Sequence, residues 1–140
     1  MKAILPTLAA GALFSVLFLP ISAPSADEEP LVYISLVNLL VQPENVPSHR
    51  IAVVGYLSNV GSPYLYLTEA HAAFLDMASG IKVIRSLGSG SFDGCVDRYV
   101  QVVGHYDPTS SLGEPVILAE RVMVPSSLGP DTECFAAADR

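Results

Sequence analysis

Two stretches of the sequence share one pattern, in which a strand-like run is interrupted by glycine. Residues 50–57 read RIAVVGYL and residues 99–106 read YVQVVGHY, so both contain Val-Val-Gly. A glycine inside a strand typically marks a bulge, a sharp bend or a close approach of another backbone. Small barrels need such bends because each strand coils around a tight radius. The repetition therefore favours a small, strongly curved β-barrel over the alternative of a chance recurrence of common residues.

Alternation along the two stretches predicts which side chains face the barrel interior. One face of each stretch is apolar or glycine-bearing and consists of Ile51, Val53, Gly55 and Leu57, and of Val100, Val102, Gly104 and Tyr106. The opposite face of the second stretch contains the polar Gln101 and His105. We therefore expect the first set of residues to point inward.

The rest of the sequence indicates short helices and strands separated by Gly and Pro turns. Leu36, Leu39 and Leu40 have the spacing of an amphipathic helix. Ser35 is a candidate N-cap, and Pro43 ends the helical pattern. The other predicted elements are a strand at 64–68, a helix at 69–77 and strands at 81–86 and 116–124. Five short strands predict a mainly β fold, a five-stranded OB-like barrel with a short N-terminal helix and a short helix between strands 2 and 3.

The N-terminus has the composition of a secretory signal peptide. Lys2 is followed by an uncharged apolar run at residues 3–23, then by small residues and an acidic stretch. We expect cleavage after Ala26. The alternative is an uncleaved membrane anchor that leaves the domain on the extracytoplasmic side, because an apolar run of this length can span a bilayer. The expected division is a signal peptide (1–26), an OB-like barrel domain (27–124) and an irregular C-terminal tail (125–140).

The acidic charge of the chain disfavours several partners. The formal net charge is −7 at pH 7, and removal of a leader whose only charged residue is Lys2 makes it −8. A negative domain with scattered basic residues repels phosphate backbones and anionic lipids. We therefore expect no binding to double-stranded nucleic acid, no membrane association after signal cleavage, and a periplasmic or secreted location.

The two cysteines, Cys95 and Cys134, both lie in the part of the chain expected to be exported. In an oxidising compartment an even pair of cysteines usually forms a disulfide, which here would tie the C-terminal tail to the domain. Two free thiols are the alternative. Because the sequence lacks C-x-x-C spacing, it gives no support to thiol–disulfide catalysis.

A helix-then-strand pattern opens the expected domain. Residues 35–46 read S-L-x-x-L-L-x-x-P-E-x-V, residues 50–57 read R-I-x-V-x-G-Y-L, and residues 99–106 read Y-V-x-V-x-G-x-Y. The pattern resembles that of small exported bacterial proteins of the OB-like type, whose function is uncharacterised. The resemblance covers roughly residues 33–124. It implies the barrel fold but no activity, because the matching motifs are packing motifs.

Histidines are the residues to consider for catalysis or metal binding. His49, His71 and His105 lie in three different predicted elements, and neither H-x-H nor H-x-x-x-H spacing occurs. A metal site would have to be assembled entirely by the fold, so we predict no metal and no cofactor. The sequence also lacks a G-x-S-x-G elbow, so a hydrolase using one of these histidines is an alternative and not the main prediction.

Tyrosines on the predicted strands are the best candidates for binding. The candidate aromatic face consists of Tyr56, Tyr64, Tyr66, Tyr99 and His105. OB-like barrels often bind oligomers on one strand face by aromatic stacking. Alternatively, these rings simply cover the barrel and keep their hydroxyls in water. The sequence thus predicts a non-catalytic, exported binding or envelope-associated module of unknown ligand or protein partner. A small extracytoplasmic hydrolase and a single-strand or oligosaccharide binder are the alternatives.

Overall fold

The computed structural model describes residues 29–86 and 90–137, and the predicted signal peptide lies outside them. In chain order the elements are β1 (Val32–Tyr33), α1 (Leu36–Val41), β2 (Ile51–Ser58), β3 (Tyr64–Tyr66), α2 (Glu69–Ala73), β4 (Gly80–Arg85), β5 (Arg98–Asp107), β6 (Val116–Val124) and β7 (Thr132–Ala136), with 3-10 turns at Pro43–Asn45, Met77–Ser79 and Asp93–Cys95. Over the described ranges, no helix is both long enough and apolar enough to cross a membrane.

Five of the strands close into a barrel. They pair in the order β2, β3, β4, β6 and β5, and β5 pairs back with β2. Neighbours in the barrel are antiparallel, except that β4 and β6 run parallel. The helix α1 precedes the barrel, and α2 lies between its second and third strands. The structure therefore confirms the mainly β, five-stranded OB-like barrel with two short helices that the sequence predicts.

The barrel interior is filled by the side chains that the alternation of the sequence predicts. Ile51, Val53 and Leu57 of β2 and Val100 and Val102 of β5 are all fully buried in one core cluster. The opposite face is not uniformly exposed. Val54 is exposed, whereas Tyr56 is covered because it packs with Ala72 of α2.

Apolar side chains from outside the barrel strands also enter this core. Leu36 and Leu39 of α1 are buried in it, and Ser35 caps the helix by accepting a hydrogen bond of 3.1 Å from the backbone N–H of Asn38. This confirms the predicted helix and its N-cap. Phe92, in the β4–β5 connection, and Phe135 of β7 are buried in the same cluster, with their rings edge to face at 5.1 Å. The interior is therefore a packed core and not a channel.

The two repeated glycines occupy places where a side chain would not fit. Between β5 and β6 the register shifts, because Val103 is opposite Arg121 while Gly104 is opposite Ala119, so β6 carries one extra residue in a bulge. A Cβ atom at Gly104 would overlap the carbonyl oxygen of Leu118. At Gly55, a Cβ would lie 2.7 Å from Leu65 Cγ. The predicted close approach is confirmed at both glycines, while the bulge beside Gly104 lies in the partner strand β6 and not in β5.

The C-terminal segment differs from the prediction of an irregular tail. Thr132–Ala136 forms β7, which pairs antiparallel with the end of β6. Phe135 anchors this strand in the core, and a disulfide joins Cys134 to Cys95, with 5.8 Å between their Cα atoms. The disulfide prediction is confirmed. The strand was not predicted because Phe135 is its only buried side chain, so the sequence of β7 shows no alternation of apolar and polar residues.

Candidate functional site

The predicted aromatic face is not an exposed surface in the structure. Tyr56, Tyr64 and Tyr66 are only 9%, 9% and 2% exposed, because they form a second small core with Ala72 of α2. Tyr99 is 48% exposed and contacts Tyr56 edge to face, with 5.4 Å between ring centroids. Stacking on bases or sugars needs accessible ring faces, which the three buried tyrosines do not offer. The sequence could not show this because it does not reveal which side of the barrel α2 covers.

His105, the fifth residue of the predicted face, is part of a separate polar cluster. Its Nε2 lies 3.0 Å from Glu29 Oε2, and its Nδ1 lies 3.1 Å from Glu120 Oε1. Arg50 Nε donates to the other oxygen of Glu120 at 2.8 Å. The hydrogen bond from His105 lowers the pKa of Glu29. The cluster ties the segment before β1 to the barrel.

Of the other two histidines, His71 has a local contact, whereas His49 reaches the same Glu29 carboxylate as His105. His71 Nδ1 lies 2.7 Å from the hydroxyl of Thr68, the N-cap of α2, so this pair belongs to the helix start. His49 Nδ1 lies 3.8 Å from Glu29 Oε1 and is half exposed. In the part of the chain that the structure describes, no group of three or more His, Cys, Asp or Glu residues is arranged to hold a metal ion.

A pocket of about 220 Å³ lies between α1, the start of β4 and the loop between β5 and β6. Most of its wall is apolar, and its lining residues are Leu39, Leu40, Pro43, Met77, Gly80, Ile81, Tyr106 and Pro115 together with the polar Tyr64, Lys82 and Glu114. An apolar wall with a few convergent polar groups is typical of a small-molecule site. This pocket is therefore the candidate functional site.

Strand register brings the three polar side chains of the pocket together. Tyr64 of β3 is directly opposite Lys82 of β4, and Lys82 is opposite Val116, the first residue of β6. Glu114 precedes that residue by two positions, so its side chain reaches Lys82 and Tyr64 from the end of the loop. Sequence analysis singled out Tyr64 but missed Lys82 and Glu114. These residues are distant from one another in the chain, and only the barrel register joins them.

The Glu114 carboxylate is held by two donors, one for each oxygen. Lys82 Nζ donates to Oε1 and the Tyr64 hydroxyl donates to Oε2, both at 2.6 Å. Hydrogen bonds to an ionised group are shorter and stronger than neutral ones. They lower the pKa of Glu114, Lys82 contributing most. Burial and, after it, the bond to Glu114 raise the pKa of Tyr64 to about 12. At neutral pH, Glu114 is thus a carboxylate and Tyr64 a proton donor.

A second cavity of about 480 Å³ adjoins this pocket beyond the C-terminal end of α1. The two share Pro43 and Tyr106, and the second is otherwise lined by Glu44, Val46, Pro47, Ser48 and Pro108. We call the pocket and this extension the α1 groove. Its length allows a ligand longer than the pocket alone could hold.

The outer face of β5 and β6 carries a wider depression of about 570 Å³, lined by Gln101, Val103, Arg121 and Met123, by residues before β2 and by Asp131. Its arginines are already paired, Arg50 with Glu120 at 2.8 Å and Arg121 with Glu133 at 2.9 Å. With mixed, mutually satisfied charges it offers less apolar surface to a ligand than the α1 groove does. The α1 groove is the better candidate.

In comparisons with known proteins, no family model matches this chain and no curated protein matches it. Fold and pocket together define its class, a disulfide-linked, closed five-stranded OB-like barrel with an apolar pocket between α1, the start of β4 and the loop between β5 and β6.

Proposed function

We propose that this protein is an exported, non-catalytic OB-like binding module whose ligand occupies the α1 groove. The observation that carries this proposal is the pocket, where an apolar wall surrounds one polar set made of Tyr64, Lys82 and Glu114. Ligand sites commonly combine apolar surface for affinity with a few polar groups for orientation.

The place of the pocket on the barrel supports the same proposal. OB-like barrels frequently bind ligands on the face of their second and third strands and on the loop between the fourth and fifth. The corresponding parts here are β3, β4 and the loop at residues 108–115, which contribute Tyr64, Lys82 and Glu114. This support is an analogy at the level of fold.

Export is supported by the cysteines and by the composition of the N-terminus. A disulfide between Cys95 and Cys134 persists most readily in an oxidising compartment. The leader at residues 1–26 has the basic start, apolar run and small residues of a signal peptide. Both observations favour a periplasmic or secreted location.

The alternative of a histidine-based hydrolase receives less support from the geometry. A hydrolytic histidine places one ring nitrogen on an orienting carboxylate and the other on a nucleophile. His105 has a carboxylate at each nitrogen, at 3.0 Å and 3.1 Å. His71 contacts the hydroxyl that caps its own helix, which leaves that hydroxyl engaged in the helix start.

The proposal is tested by titrating the ¹⁵N-labelled protein with 4-phenylbutan-1-ol, a neutral apolar probe, and following amide chemical shifts. We expect saturable shifts at Leu40, Ile81 and Tyr106, which line the α1 groove. The variant Leu40→Gln, which makes part of the apolar wall polar, should weaken binding severalfold. Val41→Gln is the matched control, because Val41 is the next residue of the same helix and is 70% exposed.

Shifts confined to the outer face of β5 and β6, or equal binding by wild type and Leu40→Gln, would show that the ligand does not bind in the α1 groove. Loss of binding in Val41→Gln as well would point to damage to α1 and not to the pocket. Circular dichroism of both variants verifies that the fold is retained.

A further inference from the structure

We infer that the α1 groove takes an apolar ligand with a terminal carboxylate, which replaces the Glu114 side chain on Lys82 and Tyr64. This inference rests on the proposed function, because it names the ligand chemistry of the same groove. In the structure, Glu114 occupies the position that the acidic group of such a ligand would take.

The two donors already form a receptor for a carboxylate. The Lys82 ammonium and the Tyr64 hydroxyl each bind a different oxygen of Glu114 at 2.6 Å. Both donors stand on paired barrel strands, directly opposite each other in the β3–β4 register. The receptor is therefore built on the rigid part of the molecule, whereas the carboxylate it holds comes from a loop.

Glu114 is able to leave without unfolding this loop. Its backbone oxygen accepts a hydrogen bond of 2.6 Å from the Ser110 hydroxyl, and the Gly113 N–H donates to Ser110 O at 3.0 Å. The main chain is thus held by bonds that do not involve the carboxylate. Because the Glu114 side chain is 36% exposed, rotation about its own bonds carries the carboxylate into water.

Exchange of one carboxylate for another leaves the charge at the receptor unchanged. The cost of desolvating Lys82 and Tyr64 is already included in the fold, and Glu114 regains water when it leaves. The apolar part of the ligand then determines the net affinity, through its contact with side chains such as Leu40 and Ile81. A neutral ligand of the same shape leaves Glu114 in place and must fit beside it.

The same chemistry occurs in free apolar acids and at the C-terminus of a peptide, so the experiment uses two matched pairs of probes. One pair is 4-phenylbutyrate and 4-phenylbutan-1-ol, and the other is N-acetylphenylalanine and N-acetylphenylalaninamide. In each pair only the acidic group is changed. Dissociation constants come from the amide shifts of the groove residues at neutral pH. If 4-phenylbutyrate binds more tightly than N-acetylphenylalanine, the ligand is a free apolar acid. The reverse order indicates the C-terminus of a peptide.

We expect wild type to bind the acid of at least one pair severalfold more tightly than its neutral counterpart, because only the acid displaces Glu114, whereas the neutral probe must fit beside that side chain in the pocket. In Glu114→Gln the acid should bind severalfold more tightly still, because its competitor is gone. In Lys82→Gln the acid and its neutral counterpart should bind with similar dissociation constants, because the cationic donor is gone. A role of this trio in stability alone would not change the acid-to-neutral ratio.

Glu133→Gln and Arg121→Gln are the matched controls, since they make the same charge changes in an exposed ion pair at 2.9 Å on β6 and β7. Equal affinities for acid and neutral probe in wild type overturn this inference and leave the proposed function standing. The inference also fails if Glu133→Gln raises acid affinity as much as Glu114→Gln does. Binding of none of the four probes at millimolar concentration overturns both proposals. If Glu114→Gln fails to fold, Lys82→Gln and wild type still decide the outcome.

Discussion

At Gly104 the bulge of β6 brings the Leu118 carbonyl into the space that a side chain would need. The obstacle is backbone, which cannot rotate away as a flexible side chain can. We therefore expect Gly104→Ala to lower the free energy of unfolding by about 1–3 kcal/mol or more, as overpacking generally does. Urea denaturation measures the change.

The control for this substitution is Gly129→Ala. A Cβ at Gly129 would have Ser126 Oγ as its nearest neighbour, at 3.8 Å, which is an ordinary contact. Its unfolding midpoint should equal or slightly exceed that of wild type, because alanine restricts the unfolded chain more than glycine does. A Gly104→Ala protein as stable as Gly129→Ala would show that the bulge relaxes to accept a side chain.

Tyr64 makes stability depend on pH in the alkaline range. Its pKa in the folded protein is raised from 10 to about 12, first by burial and then by its bond to Glu114. The folded state therefore retains a proton that the unfolded state releases, so stability is full below pH 10 and falls as the pH rises toward 12. Burial also raises the pKa of Tyr56, Tyr66 and Tyr106.

We expect Tyr64→Phe to lose stability less steeply than wild type over that interval, though not to abolish the decline, because the other buried tyrosines remain. Unfolding free energies measured by urea titration at several alkaline pH values give the slopes, and tyrosinate absorbance reports the ionisation itself. Equal slopes for the two proteins would show that the ionisation of Tyr64 does not contribute to the alkaline loss of stability.

Among the elements, β7 depends most on a covalent link. It pairs only with β6 among the described strands, and Cys134 within it is bonded to Cys95. We expect the double variant Cys95→Ala/Cys134→Ala to lose about 2–4 kcal/mol of stability, because the unfolded chain is no longer cross-linked.

Hydrogen exchange followed by mass spectrometry shows where the effect falls. Amides of β7 should exchange much faster in the double variant, whereas those of β5, which pairs on both sides with β2 and β6, should change only in proportion to global stability. Equal acceleration of both strands would mean that the disulfide acts on the whole barrel and not mainly on β7.

Elements with local signals were predictable from sequence, and elements that depend on distant partners were not. The helix α1 has an N-cap at Ser35, an apolar spacing and Pro43 after its end, all within a few residues. The strand β6 was predicted with the bounds that the structure shows, residues 116–124. By contrast, β1 has two residues and β7 has one core side chain, so only their neighbours define them as strands.

At the scale of the whole molecule, the barrel was predictable from curvature, but its candidate site was not. The glycines indicate curvature without any knowledge of how the strands pair. Prediction of the Lys82–Tyr64 pair that holds Glu114 would instead require the register of β3, β4 and β6. The error over the tyrosines has the same origin. Rings that alternate outward on the strands become core residues once α2 packs over them.

The packed interior of the barrel restricts where a ligand could be accommodated. Fully buried Val, Ile and Leu side chains occupy the barrel, and Phe92, Phe135, Leu36 and Leu39 add to the same core. A ligand of the kind proposed would therefore bind outside this core, where side chains of α1, the strands and the connecting loops meet. Binding preferences can then change through residues such as Glu114 without disturbing the core.

The pairing of β2 with β5 has a consequence for the order of events during biogenesis. Ile51 is opposite Gly104, so one edge of β2 pairs with a strand that is synthesised about fifty residues later, whereas its other edge pairs with the next strand, β3. Because synthesis proceeds from the N-terminus, the barrel cannot close until β5 and β6 have been made, and Cys134 follows them. Non-local closure of this kind folds slowly. Until the barrel closes, β2 to β4 form an open sheet whose unpaired edges are accessible to chaperones and prone to aggregation.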